Sequence, residues 1–585
     1  MDWDLTRLYA DFDDKFDADL DKAAELAKSG LQFMRGLKAG ENDVENMKEA
    51  IVRKQELSTL FSRAAQFTHL TISVNATHEA ALRAQDRIAK ISNTLAMMNS
   101  AFTDFVGKIA DLDSVIEADP LIKEHEFILR ETKAEASHLI DPELEPLVLQ
   151  MQTTGAKAWA NLRGTLDATL LIDVDEERKG LSLAAVRGFA YSADADLRKR
   201  AYEAEIAAYP RTEIAMAACL NGIKGEAITL LPYKKYSTPI EMTLDSSRMD
   251  QETLDALIAV LYEALPMFRR YFRAKAKALG YEGGLKFYDL FAPLGASGKT
   301  FTLEEAREYL VKVLSQFSDN MGKFIDNAFE ERWIDAFPKP GKRGGAFCSG
   351  AHCIGRSYVC TNFDGSLSSV STLAHELGHA YHGSQLMKNS PLNTGYPMPL
   401  AETASIFNET LLSHVALKNC TSADEELMLL DTELTDASQV VVDILSRYIF
   451  ETEVFARRAD HNLSVKELKE IMLDAQRKTY GDGLDENCMH PYMWACKPHY
   501  YRHNLHFYNF PYAFGLLFGK GVFAQYEKEG DAFIPKYDEL LANTVKGNVY
   551  DVAKSVGIDV HDINFWRSSI EVISKTVDRF CELVG

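Results

Sequence analysis

The residues most clearly able to do chemistry are His375, Glu376 and His379, within Ser371-Thr-Leu-Ala-His375-Glu376-Leu-Gly378-His379-Ala-Tyr-His382. On an α-helix, positions four apart lie one turn apart on the same face. His375 and His379 therefore offer two imidazoles to one ion. Paired imidazoles suit zinc, and a carboxylate beside the first of them is placed to take a proton from a water at the metal. Leu373, Leu377 and Ala380 give the apolar spacing of a helix, with no proline to interrupt it. Gly378 is a poor helix former. Its presence predicts that another backbone packs closely there.

Two histidines leave a zinc ion short of ligands. One zinc-protease pattern supplies Gly and then His three and six residues after the second histidine. Here those positions hold His382 and Gln385, so that pattern fails. A downstream carboxylate is the other route. Ala401-Glu402-Thr-Ala-Ser405-Ile-Phe-Asn-Glu409-Thr-Leu-Leu reads as a helix whose apolar stripe is Ala404, Phe407 and Leu411. Glu402 and Glu409 lie two turns apart on another of its faces. Glu402 is expected to be the third ligand of a single zinc per chain. Glu409 is expected to orient a ligand histidine from behind.

Peptide hydrolysis at such a centre also needs donors for a developing oxyanion, and tyrosine hydroxyls and histidine N–H groups suit that task. The segment Met489 to Gly515 is dense in both, with His499, His503, His506, Tyr508 and Tyr512. Tyr508 and Tyr512 are four apart, so one helical face could present both.

These residues need elements to hold them. Ala346–His352 and Ser357–Phe363 read as two strands just before the metal helix, after the turn-rich Phe337-Pro-Lys-Pro-Gly-Lys-Arg-Gly344-Gly345. A strand there could add a substrate backbone to its edge, with glycines permitting close approach. Residues 1–190 read as a lobe of long helices. One buried stripe is Leu57, Leu60, Phe61, Ala64 and Phe67, and Asp141-Pro142 marks a break. Residues 191–585 are expected to form the catalytic domain. Asp289, in a turn-rich passage, either contacts substrate or braces a turn.

The formal net charge of −22 over 585 residues argues against nucleic acid and anionic membrane surfaces as partners. There is no basic, apolar N-terminal signal and no apolar run long enough to span a bilayer. The eight cysteines form no Cys-x-x-Cys. Together these features predict a cytoplasmic chain with reduced thiols and no obligate protein partner evident.

The chain resembles oligoendopeptidase F, of the thimet oligopeptidase family of zinc peptidases. The resemblance rests on Trp3-Asp-Leu, Tyr288-Asp-Leu-Phe-Ala-Pro-Leu294, Gly341-Lys-Arg-Gly-Gly-Ala-Phe347, Thr372-Leu-Ala-His-Glu-Leu-Gly-His379, Ala401-Glu-Thr-Ala-Ser405 and Phe507-Tyr-Asn-Phe-Pro-Tyr-Ala-Phe-Gly515. It implies a mainly α, zincin-like fold with a small β-sheet and an N-terminal helical lobe, enclosing a deep substrate channel. It implies that Gly344, Gly345 and Ala346 lie near the substrate backbone and that Tyr508 and Tyr512 stabilise the transition state. The partner histidine matches His499 best, with His503 and His506 also in place.

The implied activity is zinc-dependent endopeptidase cleavage of short, unstructured peptides, with Glu376 as general base. Two alternatives stand beside it. A carboxypeptidase or dipeptidyl carboxypeptidase on the same scaffold would need a cation for the substrate C-terminus, for which Arg356 and Arg502 are candidates. A non-catalytic peptide-binding protein would have no use for Glu376. A channel with edge-strand binding predicts a size limit: peptides of roughly five to twenty residues are cut while denatured casein survives, since only a short extended chain can add to an edge inside a channel. Efficient casein digestion, read by mass spectrometry, would contradict it.

Overall fold

The computed structural model describes residues 1–585 except Pro142, Ser297 and Gly298. The break expected at Asp141-Pro142 therefore falls partly outside the described residues. The fold is mainly α with one small sheet, as the sequence predicts. No helix among the described residues is long and apolar enough to cross a membrane.

Packing divides the chain into two compact units. One comprises Met1–Leu139, Lys299–Leu412 and Gln525–Gly557. The other comprises Ile140–Gly298, Ser413–Ala524 and Ile558–Gly585. These units are built from interleaved segments, whereas the sequence suggests a single cut near residue 190.

In the first unit, the long helices Asp14–Gly36, Asp43–Val74 and Glu79–Lys108 pack on one another through a shared core. Leu57, Ala64 and Phe67 are buried as their spacing predicts, while Leu60 and Phe61 are half-buried at its edge. The same core reaches the sheet, where Trp3 packs edge-on against Tyr358, with ring centroids 6.0 Å apart. The sheet has three strands, β1 (Ile334–Asp335), β2 (Phe347–Ala351) and β3 (Arg356–Cys360), in the order β1-β3-β2. β1 runs parallel to β3, and β2 antiparallel to it with Phe347 opposite Cys360. Beside β1, Ala336 N–H donates to the Met1 carbonyl. Among the described residues no strand pairs with the outer edge of β2.

The turn entering β2 is tied down at several points. Lys342, whose side chain is buried, donates to an Asp335 carboxylate oxygen at 2.7 Å and to the Phe337 carbonyl at 2.9 Å. Asn362 Nδ2 donates to the carbonyls of Arg343 and Gly345. Gly345 has φ of +79°, a conformation that glycine adopts at little cost.

In the second unit, helix Gln251–Ala278 packs along Ile563–Val584, and Ile444–Arg458 along Val465–Tyr480. Asp289 is fully buried there between Arg198 Nε at 2.7 Å and the Tyr281 hydroxyl at 2.6 Å. It braces a turn and has no surface left for substrate.

Candidate active site

Ser366 caps the helix Leu367–Leu386, accepting from the Ser369 N–H, and Val370, Leu373, Ala374, Leu377 and Ala380 bury its apolar face. This helix carries His375, Glu376 and His379. A Cβ built on Gly378 would lie 2.6 Å from the Ala404 carbonyl oxygen and 2.7 Å from the Ser405 Cα. The close backbone approach predicted from the sequence is therefore present, and the partner is the helix Thr403–Lys418. Asn408, fully buried, adds a tie by donating to the Ala374 carbonyl at 3.1 Å.

Glu402 does not lie within a continuous helix, contrary to the sequence expectation. It occupies a turn between Met398–Ala401 and Thr403–Lys418, with its carbonyl accepting the Ile406 N–H at 3.0 Å. Its position just ahead of the helix leaves the carboxylate to be set by its neighbours. Ser405 Oγ donates to Oε2 at 2.8 Å.

This packing brings three ligand atoms together. His375 Nε2 and His379 Nε2 are 3.2 Å apart, and Glu402 Oε2 lies 3.4 Å from each. The edge of a tetrahedron with zinc-ligand bonds of ~2.0–2.1 Å is about 3.3–3.4 Å. The three atoms thus fit three corners of a tetrahedral zinc site and leave the fourth open. No other group of three His, Cys, Asp or Glu side chains with this convergence occurs among the described residues.

The histidines and carboxylates of the cluster shift one another's pKa values. Burial disfavours a charged His375, yet the hydrogen bond and charge of Glu409, with Glu402 and Glu376, outweigh it and raise its pKa to about 9. Burial also disfavours a charged Glu402, but His379, His375 and Ser405 hold it at about 2. Glu409 Oε1 lies 3.2 Å from His375 Nδ1, on the ring edge away from the ligand atoms. Burial raises the pKa of Glu376 against the pull of His375 and His379.

Glu376 and His379 line a cavity of about 520 Å³ together with Ala346, Phe347, Gly350 and Tyr396. The space above Gly344 and Gly345 is open, with no atom within 4 Å of a Cβ built on either. His382 turns elsewhere, with Nε2 2.8 Å from Thr544 Oγ1 and its ring stacked on Tyr396. Its exclusion as a ligand by sequence spacing agrees with this.

The aromatic residues expected to serve the oxyanion belong to the second unit. Tyr508 and Tyr512 do not share a helical face as their spacing suggests. The helix Phe510–Glu529 starts only after Tyr508, with Pro511 in its first turn. The two rings still meet edge-on, with centroids 5.4 Å apart, and His499 stacks on Tyr508 at 5.5 Å. Burial, reinforced by Arg447, Lys497 and Arg502, lowers His499 to about 4 and keeps it neutral. Its Nδ1 is buried with no hydrogen-bond partner among the described residues. His506 is buried beside Lys224, and His503 is half-exposed. Arg502 is exposed and covers the Tyr508 ring at 4.3 Å. Sequence reasoning missed the buried Lys224 and Glu451 behind this segment, because nothing in their local pattern sets them apart from surface charges.

Residues 189–548 match peptidase family M3, and the chain belongs to that family. It is a peptide hydrolase, similar to oligoendopeptidase F. The oligopeptidase PepF of Bacillus subtilis is 25% identical over 85% of this chain and 75% of its own length. The group B oligopeptidase PepB of Streptococcus agalactiae is 23% identical over 100% of this chain and 97% of its own. Among solved structures, oligoendopeptidase-F from Enterococcus faecium shares the fold, with a TM-score of 0.71, 18% identity and coverage of 98% of this chain and 99% of that one.

Gly378→Ala tests the helix contact. In an open helix this change stabilises by up to about 1 kcal/mol. Here the new methyl meets backbone, and overpacking costs about 1–3 kcal/mol. The variant should melt lower, and any metal held by His375, His379 and Glu402 should bind about ten- to a hundredfold more weakly, as read by chelator competition. A raised melting temperature with unchanged affinity would contradict the role of the contact.

Proposed function

We propose that this chain is a zinc-dependent endopeptidase acting on short, unstructured peptides. The observation that carries the proposal is the convergence of His375 Nε2, His379 Nε2 and Glu402 Oε2 at tetrahedral spacing beside Glu376. His375, His379 and Glu402 would hold one zinc ion, with Glu409 fixing the tautomer and orientation of His375. Zinc bound there supplies Lewis acidity toward the scissile carbonyl and lowers the pKa of water.

The chain's own residues do the remaining work. Glu376 accepts a proton from the attacking water and returns it to the leaving amine. Tyr508, Tyr512 and His499 donate hydrogen bonds to the oxyanion, as the family resemblance implies. Gly344, Gly345 and Ala346 lie along the substrate backbone, where their lack of bulk lets a peptide add beside β2. All of these residues fall within 191–585, the catalytic part of the chain, whereas residues 1–190 supply helices to both packing units. The eight free thiols accord with a cytoplasmic location.

The exopeptidase alternative loses one of its two candidate cations. Arg356 is buried, lies against Trp333 and pairs with Glu331. Arg502, exposed beside Tyr508, is the observation that still favours it. A quenched fluorescent peptide blocked at both ends, offered to wild type and Glu376→Gln, tests both points. Wild type should cut it internally. The variant should retain zinc and lose turnover by roughly a hundred- to ten-thousandfold, the usual worth of a general base. Cleavage only of peptides with a free C-terminus would support the exopeptidase, and zinc loss or near-normal turnover in the variant would contradict the role of Glu376.

A further inference from the structure

We propose that Lys224, Glu451 and Asn509 form a buried positioning network that fixes Tyr508 at the tip of a tight turn. The proposal rests on Tyr508 acting at the reaction centre.

The turn itself is unusual. Asn509 N–H donates to the Phe507 carbonyl at 2.7 Å, closing a three-residue turn with Tyr508 at its centre. Phe507 has φ of +51°, the left-handed region that a bulky residue enters at a cost of about 1–2 kcal/mol. His506, Phe507 and Asn509 are buried, and Tyr508 alone among them is half-exposed. A strained turn of this kind persists only where its surroundings over-determine it.

Those surroundings grip both flanks of Tyr508. On one side Asn509 Nδ2 donates to Glu451 Oε2 at 3.1 Å, and Glu451 Oε1 accepts from Lys224 Nζ at 2.6 Å. On the other, the same Lys224 Nζ lies 3.3 Å from His506 Nδ1, and Thr243 Oγ1 donates to the His506 carbonyl at 2.7 Å. Burial, with Lys224 and Lys234 beside it, holds His506 neutral, so its Nδ1 can accept from the ammonium. The Phe507 ring stacks on Phe455 at 5.6 Å. Asn509 Oδ1 also accepts from the N–H of Phe510, the first residue of the helix that carries Tyr512.

Lys224 Nζ thus spans the turn, with burial lowering its pKa against the pull of Glu451. A pair as buried as Lys224 and Glu451 is a poor source of stability compared with apolar residues of the same volume. It does supply direction, because its hydrogen bonds are satisfied in one arrangement of the turn only.

The test compares Asn509→Ala with the paired replacement Lys224→Met plus Glu451→Met, each alone and combined with Tyr508→Phe, in zinc-loaded enzyme. The paired replacement removes both charges together, so no lone buried charge is left to unfold the protein. Both changes should lower kcat about ten- to a hundredfold, the scale of a misplacement near 1 Å, with KM within about twofold. In the Tyr508→Phe background they should cost almost nothing further, since the group they aim is already gone. Wild-type kcat in both network variants, or losses that multiply fully with that of Tyr508→Phe, would overturn the proposal. If Tyr508→Phe alone keeps wild-type kcat, the catalytic reading of Tyr508 is what fails, and the network loses its object with it.

Discussion

Two helix backbones meet at Gly378, and the candidate active site depends on that meeting. A side chain there would collide with the carbonyl of Ala404 and the Cα of Ser405. Its absence lets the helix that carries both histidines touch the start of the helix that follows Glu402. Asn408 locks the same approach by reaching the Ala374 carbonyl. The carboxylate then arrives 3.4 Å from each imidazole nitrogen. Converging imidazole lone pairs and a carboxylate repel one another unless a positive charge sits among them. The packing therefore creates a site whose three ligand atoms could hold one metal ion.

A different strategy holds the aromatic residues of the second unit. There the anchoring is polar and buried, through Lys224, Glu451 and Asn509, and the strain is concentrated in the backbone of Phe507. Hydrophobic packing alone would tolerate several arrangements of a three-residue turn. A network with one satisfied geometry tolerates far fewer.

Much of this was legible in the sequence because short-range rules governed it. Helical periodicity places His375 and His379, and the two strands fall within a few residues of the expected ends. A glycine in the middle of a helix announces the backbone contact at Gly378. Other features depend on long-range partners that local patterns do not encode. Tyr508 and Tyr512 have helical spacing, yet the tight turn from Phe507 to Asn509 leaves Tyr508 ahead of the helix. Glu402 sits in a turn that its sequence neighbourhood reads as helix. Arg356 looks free to bind a substrate carboxylate until Glu331 and Trp333 are found against it. The interleaved units come from contacts between segments hundreds of residues apart, which no composition shift marks.

The central claim is that His375, His379 and Glu402 form one metal centre on which peptide hydrolysis depends. The most direct measurement is to strip the protein with a chelator and titrate zinc back, reading bound metal and peptide cleavage on the same samples. The account predicts that cleavage is lost on stripping, returns in proportion to bound zinc and levels off at one ion per chain. Full cleavage by the metal-free protein, or recovery that does not follow bound metal, would contradict it.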